Sequence, residues 1–444
     1  MAVSPPAPAS IAEWTWDRSV HVVLINEYYP PDTSATAKMA AQVVAALAKR
    51  HRVTVIAGMP SYDPEERYPY KLLRRERNGN VTIERVGSTS YPRHQMRQRT
   101  TNYLTYVALA VPRAIILRAD LVLAMTDPPF VGMAGALVSF LTRRPFVYNI
   151  RDLYPEMATG GDILRPGRLP RLWEWLHRRS LRRAQRVIVL GDDMRERILA
   201  KGIAADRVIT VRDGAAPPSR VVSAADSAVR EIRGGFPFVL LHAGNLGFYG
   251  AWETLIRAAR ALAPEGVGLV FVGDGSKRGE VESLAGDCAG VRFLDFRPPA
   301  EIPEVMAAGD MHIVTVKRGL EGVVVPSKLY GILAAGRPVL AVAPESSDVS
   351  RLVRAAGCGG AVEPEDAEGI VRCVRELREQ PERLQEMGRR ARELSSRFCR
   401  EAELRRFVEV VEEAAAESRT PLSSKTSARS SLRPDMDSGN QKNG

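Results

Sequence analysis

The sequence predicts an α/β protein of two Rossmann-like, doubly wound domains facing a central cleft. Three observations carry that expectation. Short apolar runs alternate with amphipathic helical segments, the grammar of βαβ units and parallel sheets. The pattern runs twice, restarting near Phe238 after a stretch rich in Gly, Pro, Ser and Ala between Asp213 and Gly235. The length of 444 residues, 45% hydrophobic and 26% charged, is enough to bury two ordinary domains.

In the first half, HVVLIN from His21 reads as a strand, EYYPPDTSA as a loop, Thr36 to Lys49 as an amphipathic helix and Arg52 to Ala57 as the next strand. Leu121 to Met125, Pro145 to Ile150 and Arg186 to Leu190 are further buried strands, with an apolar helix from Phe130. In the second half Phe238 to His242, Gly268 to Val272, Val291 to Asp295, Met311 to Val316 and Pro338 to Val342 are strands, and Ala251 to Leu262 is a helix. Arg/Glu-rich helical sequence runs from about Ala367 to Glu417, with interruptions expected at Pro381 and Gly388. The chain thus divides into a disordered tail (1–17), an N-terminal domain (18–213), a linker (214–236), a C-terminal domain (237–395), a closing helix (396–417) and a second disordered tail (418–444).

The stretch EGVVVPSKLYGILAAGRPVLAV, Glu321 to Val342, is the most informative. Val323 to Val325 end a loop against the core, and Pro326 stops the extended run. Ser327 is placed as the N-cap of a helix from Lys328 to Ala335, which Gly336 closes. Lys328 is the anomaly, because a cation in the first helical turn opposes the helix dipole by roughly 0.3–1 kcal/mol. An anion in front of that helix accounts for it.

A net charge of +11 favours phosphates, anionic lipid or nucleic acid as partners. Few aromatics and no binding motif argue against nucleic acid. Cys288, Cys358, Cys373 and Cys399 show no metal-ligand spacing, which points to a reducing cytoplasm. The longest uncharged segments, Thr100 to Pro112 and Pro128 to Thr142, fall short of a bilayer span, and the first residues lack signal-peptide character. The run from Arg165 to Arg186 reads as a basic amphipathic helix carrying Trp173 and Trp175, with Leu169, Leu172 and Leu176 as its inner stripe. Such a helix suits an anionic membrane surface.

Two loops stand at the carboxyl ends of expected strands, where ligands of such sheets bind. Gly244, Asn245 and Gly247 lie in AGNLG, whose backbone amides suit an anion. Arg151, Asp152 and Glu156 lie in YNIRDLYPE and set opposite charges at the cleft.

YYPPDTSATAK, IRDLYPE, AGNLG, FVGDG and PSKLYGILAAGRPVLAV occur in the order and near the spacings of one family. From about Val20 to Arg405 the chain resembles a family 4 glycosyltransferase of the GT-B fold, in the subgroup that builds bacterial surface polysaccharides. The resemblance implies a retaining, metal-independent hexosyltransferase without a cofactor. Its C-terminal domain holds a nucleotide diphosphate-sugar as substrate, and its N-terminal domain receives a lipid-linked or glycan acceptor. The enzyme would be cytoplasmic, peripheral on the inner face of the plasma membrane.

The chain departs from the family at specific places. The family's paired glutamates fall on Val323 and Gly331, with Glu321 as a displaced substitute toward the donor sugar. AGNLGFYG has no Arg or Lys, so Lys317, Arg318 and Lys328 take over the diphosphate charge, with Val325, Pro326 and Ser327 shaping the same site. Asp152 occupies about the place of the family's acceptor-side histidine. Asp152, Glu156 and Glu321 are therefore the expected catalytic residues. A nucleotide-sugar 2-epimerase and a non-catalytic GT-B binding protein are the rival readings.

Overall fold

The computed structural model describes residues 19–61, 71–91, 95–161, 164–165, 167–216, 220, 222–223 and 225–418, so both expected tails lie outside the described residues apart from Ser418. Two parallel sheets form its core, one in each half of the chain.

The N-terminal sheet is built from β1 (His21–Ile25), β2 (Arg52–Gly58), β3 (Leu73–Asn78), β4 (Val81–Val86), β5 (Leu121–Ala124), β6 (Phe146–Asn149), β7 (Arg186–Val189) and β8 (Val208–Thr210). Their order is β3-β4-β2-β1-β5-β6-β7-β8, parallel throughout except for the β3–β4 hairpin. Helices α1 (Ala35–Ala48), α2 (Met96–Ile116), α3 (Val131–Thr142), α4 (Glu156–Gly160), α5 (Arg168–Arg183) and α6 (Asp192–Ala200) connect them. Burial on both faces explains the unbroken apolar strands: all of β1, β5 and β6 is buried.

The stretch read as linker contains helix α7 (Ser227–Arg233), capped by the Asp226 side chain. The C-terminal sheet follows, with β9 (Phe238–Ala243), β10 (Val267–Val272), β11 (Val291–Leu294), β12 (Met311–Thr315), β13 (Val339–Val342) and β14 (Gly359–Val362). All its pairs are parallel, in the order β11-β10-β9-β12-β13-β14. Its helices are α8 (Trp252–Leu262), α9 (Arg278–Ala285), α10 (Ile302–Ala308), α11 (Lys328–Ala334), α12 (Asp348–Ala356), α13 (Ala367–Arg378) and α14 (Pro381–Ser396). Pro381 opens α14, but Gly388 does not interrupt it. A Cβ there would stand 2.5 Å from the Gly336 carbonyl oxygen, so the glycine serves close packing against the end of α11.

The last helix, α15 (Arg400–Glu417), returns to the first domain. Phe407, Val408, Val411 and Ala414 share a core with β1, β2 and α1, and Glu412 meets His51 at 2.9 Å and Arg50 at 3.1 Å.

Helix α5 is amphipathic, but its leucines face the other way from the sequence expectation. Leu169 and Leu172 are 62% and 53% exposed. The inner stripe is instead Trp173, His177, Ser180 and Leu181. Trp173 sets this orientation, stacked on Tyr154 at 5.6 Å and packed on Phe130 at 5.2 Å.

The two domains touch closely. Leu153 N–H donates to the Val323 carbonyl (2.9 Å), Asp152 bridges Val324, and Leu320, Val323 and Val324 enter the N-domain core. Gly322 makes this approach possible: its φ is +67°, and a Cβ would lie 2.6 Å from the Asp193 backbone.

Candidate active site

Outside the carboxyl ends of β9 and β10, on the C-terminal domain, lies a cavity of about 630 Å³. That volume suits a small organic ligand, and the position is where open α/β sheets bind one. Val272, Ile302, Met306 and Ile332 give it apolar walls. Three cations reach it: Lys328 at the start of α11, Arg297 after β11 and Arg400 at the start of α15. Among the described residues that line it, none is acidic.

Lys328 sits beside Gly244, where a Cβ would come to 3.5 Å from its Nζ. Its Nζ lies 2.9 Å from Nε2 of the fully buried His242, the penultimate residue of β9. Among the described residues it makes no ion pair. Burial without a compensating carboxylate pushes its ammonium down to about 7. The positive charge here belongs to the side chain and not to the helix start. Ser327 has helical φ and ψ and makes no capping bond, and α11 spans only Lys328–Ala334.

The glycine loop beside it is tied to itself. Gly244 N–H donates to the Val272 carbonyl (2.8 Å) and Leu246 N–H to that of Asp274 (2.9 Å). Trp252 Nε1–H donates to the Gly247 carbonyl (2.7 Å), and the Tyr249 hydroxyl to that of Asn245 (2.8 Å). Helix α8 begins only at Trp252, so the loop shapes the cavity rim and does not form a helix N-terminus at an anion.

Other residues named from the sequence stand elsewhere. Arg318 is exposed and holds Glu363 (2.7 Å) and Glu365 (2.8 Å), while Lys317 is exposed on the loop after β12. Glu321 faces α6 of the other domain, where Arg197 approaches its carboxylate at 3.6 Å. Val325 packs beside the N-domain core, and Pro326 is half-buried just before Ser327. Gly331 does line the cavity, and a Cβ there meets nothing within 4 Å.

Across the domain boundary, Asp152 follows β6 by three residues and pairs through its backbone with Val324. Loss of solvent at the interface, with the charge of Asp127 adding to it, pushes its carboxyl up to about 7; Arg151 offsets only part. Arg151 is itself committed to Asp213 at 2.7 Å. The charge of Asp152 also reaches Tyr249 on the opposite loop, whose hydroxyl burial pushes up to about 12. Glu156 does not join this group. Its carboxylate takes Lys201 at 2.5 Å, and Lys201 also holds Glu174 of α5 at 2.6 Å.

Sequence reasoning missed His242, Arg297, Arg400 and Asp127. His242 left one signal, a polar residue at the end of an otherwise apolar strand.

Two family models match the chain in succession: a glycosyl transferase 4-like domain over residues 34–214 and glycosyl transferases group 1 over 237–380. The chain belongs to the family 4 glycosyltransferases of the GT-B fold. The match to a probable glycosyltransferase, WbjE, of Pseudomonas aeruginosa is 28% identical over 59% of this chain and 66% of that one. A putative colanic acid biosynthesis glycosyl transferase, WcaI, of Escherichia coli K12 is 27% identical over 78% of this chain and 89% of that one. Among solved structures, Anabaena HepE in complex with UDP superposes with a TM-score of 0.65 at 19% identity, over 89% of this glycosyltransferase and 100% of HepE. That likeness concerns the fold. Among the described residues of this glycosyltransferase, no helix is long and apolar enough to cross a membrane.

Proposed function

We propose that this glycosyltransferase moves a hexose-type sugar, with retention, from a nucleotide diphosphate-sugar to a lipid-linked or glycan acceptor in surface polysaccharide biosynthesis. One observation carries the donor side: Lys328 is a cation without an acidic partner among the described residues, set in the wall of a ligand-sized cavity. A diphosphate is the anion that charge suits, and HepE, of the same fold, binds UDP. The relative WcaI supports the surface-polysaccharide setting.

Asp152 serves the acceptor. Above its raised pKa it is ionised and accepts a hydrogen bond from the attacking hydroxyl, taking the proton as the sugar–oxygen bond forms. Lys328, with Arg400 nearby, offsets the charge that develops on the departing diphosphate, Arg297 being already paired with Glu231 and Glu301. With those cations supplying the charge, the reading needs no metal ion, and EDTA should leave the rate unchanged. The protein works in the cytoplasm, against the inner face of the plasma membrane, where a lipid-linked acceptor resides. The exposed, arginine-flanked stripe of α5 supports that placement.

Calorimetry with a panel of nucleoside diphosphates tests the donor site. Lys328→Ala should weaken the cognate diphosphate at least tenfold with little change in melting temperature. Equal affinity in variant and parent would remove Lys328 from the site.

A further inference from the structure

We propose that His242 positions Lys328 for the donor's diphosphate, and that the diphosphate binds together with one proton. This rests on the reading of the cavity as the donor site. The geometry is a close pair at the cavity wall: Nζ of the half-buried Lys328 stands 2.9 Å from Nε2 of the buried His242. Trp252 packs edge-on to the imidazole at 5.0 Å and Phe271 tilts against it at 5.9 Å, so the ring cannot swing away.

An ammonium has only donors, so toward Lys328 the imidazole acts as an acceptor through an unprotonated Nε2. The choice of acceptor matters. A carboxylate at position 242 would hold the lysine equally well but cancel its charge and repel a phosphate. A neutral imidazole fixes the direction of one N–H bond and leaves the charge, and two further N–H bonds, for a ligand.

The charged groups around the pair do not replace it. His312 of β12 is buried, and its Nε2 lies 3.0 Å from the Met306 carbonyl. Asp274, on the turn after β10, accepts from the neighbouring Gly275 N–H. Arg297 is paired with Glu231 and Glu301. Arg400 donates to the carbonyls of Asp213 and Gly214. Burial lowers His242 well below its ordinary value and Lys328 to about 7, so near neutral pH the pair carries at most one positive charge, gained with one proton. A diphosphate in the cavity stabilises the protonated state and draws that proton from solution.

The test is calorimetric titration of the full-length protein with UDP, GDP, dTDP, ADP and CDP at about pH 8, in two buffers of different ionisation enthalpy. The phosphates of these ligands are fully ionised there, so any proton taken up is bound by the protein. The expected result is uptake approaching one proton per diphosphate, with Kd rising up to about tenfold per pH unit above pH 7.5. Lys328→Met should abolish the uptake. His242→Phe keeps a ring but removes the acceptor and should weaken binding about tenfold or more, while His242→Gln, which restores an acceptor, should recover most of it. If His242→Phe does not fold, the proton count of the parent still decides.

Tight binding without proton uptake overturns the pair and leaves the donor site standing. Uptake that persists in Lys328→Met, or an unchanged Kd in folded His242→Phe, overturns it equally. Failure of every diphosphate to bind between about pH 6 and 9 removes the donor-site reading and this inference together.

Discussion

Arg212 of the N-terminal domain grips Asp348 of the C-terminal domain with both arms of its guanidinium. Nη2 stands 3.1 Å from Oδ1, and Nη1 meets Oδ2. Both side chains are buried, and the Asp348 amide donates to Asp193 across the same boundary at 2.9 Å. The same patch of α6 meets the loop of Val324, since a Cβ at Gly322 would stand 2.6 Å from the Asp193 backbone. Removing Asp348 leaves the buried Arg212 guanidinium with only the exposed Asp192 as a carboxylate partner, at 2.9 Å, so the cost should fall short of the about 3–5 kcal/mol of a fully orphaned buried charge. Asp348→Ala should therefore lower the melting temperature markedly, and the double variant Arg212→Met with Asp348→Leu should regain much of the loss. A double variant no better than the single one, measured by calorimetry, would show that the pair is not the element holding the domains.

Asp152 should show a conflict between stability and activity. Its carboxyl is raised from the unfolded value to about 7, so ionising it in the folded protein is unfavourable. The penalty is absent below the unfolded pKa of about 4, grows through the interval and is complete above pH 7. Asp152→Asn should melt higher than the parent at pH 8 and gain less at pH 5.5. Its turnover should fall by about 10² to 10⁴ while nucleotide affinity stays within a few-fold. The parental rate should decline below pH 7 as the base is protonated. A variant that is active at the parental rate, or that melts lower at pH 8, removes Asp152 from this role.

Much of the fold was legible because strands buried on both faces are written as unbroken apolar runs, ended by Pro and Gly. The β3–β4 hairpin was not, because LRRERN is charged on both faces and shows no alternation; only the Asn78-Gly79 pair marked its turn. In α5 periodicity revealed two stripes but not which faces inward. That choice was made by aromatic stacking on Tyr154, a contact local sequence cannot contain. The site divides likewise. Lys328 stood out by conflict with its own helix, and Asp152 by its place after a strand. His242 is brought to Lys328 by sheet topology, and Glu156 is taken out of the group by Lys201.

Gly331 leads to a prediction about the nucleotide. It faces open cavity space within α11, and the described lining holds no carboxylate to receive a ribose diol. The parent should therefore bind ribo- and 2′-deoxyribonucleoside diphosphates of the same base with affinities within about threefold, since no charge-assisted hydrogen bond is lost. Discrimination of tenfold or more would reveal a hydroxyl-binding group in the cavity. Gly331→Ala should raise stability by about 0.5–1 kcal/mol through helix propensity alone.

The outward stripe of α5 continues onto its neighbour. Leu169, Leu172, Trp175 and Leu176 of α5 and Leu137, Phe140 and Leu141 of α3 are all exposed, and the two helices pack side by side. Arg183 at the end of α5 donates to the Ser139 carbonyl of α3 at 3.0 Å. Exposed Arg168, Arg171, Arg179 and Arg182 flank the apolar residues, whereas Arg178 is engaged by Glu174. An apolar face ringed by arginines that make no ion pair among the described residues, with Arg179 lying over the Trp175 ring at 4.6 Å, matches an anionic bilayer in both chemistry and charge. Trp173 joins it to the loop of Asp152 through Tyr154, two residues on. At about 1 kcal/mol per charge, replacing those four arginines with Gln should weaken binding to vesicles containing anionic lipid by about 10² to 10³, with donor affinity unchanged. Leu172→Ser with Trp175→Ser should weaken binding in a way that added salt does not mask, since the lost term is apolar burial and not screened charge. Vesicle sedimentation at low ionic strength measures both. If the arginine variant pellets with anionic vesicles as the parent does, this face is not the membrane contact.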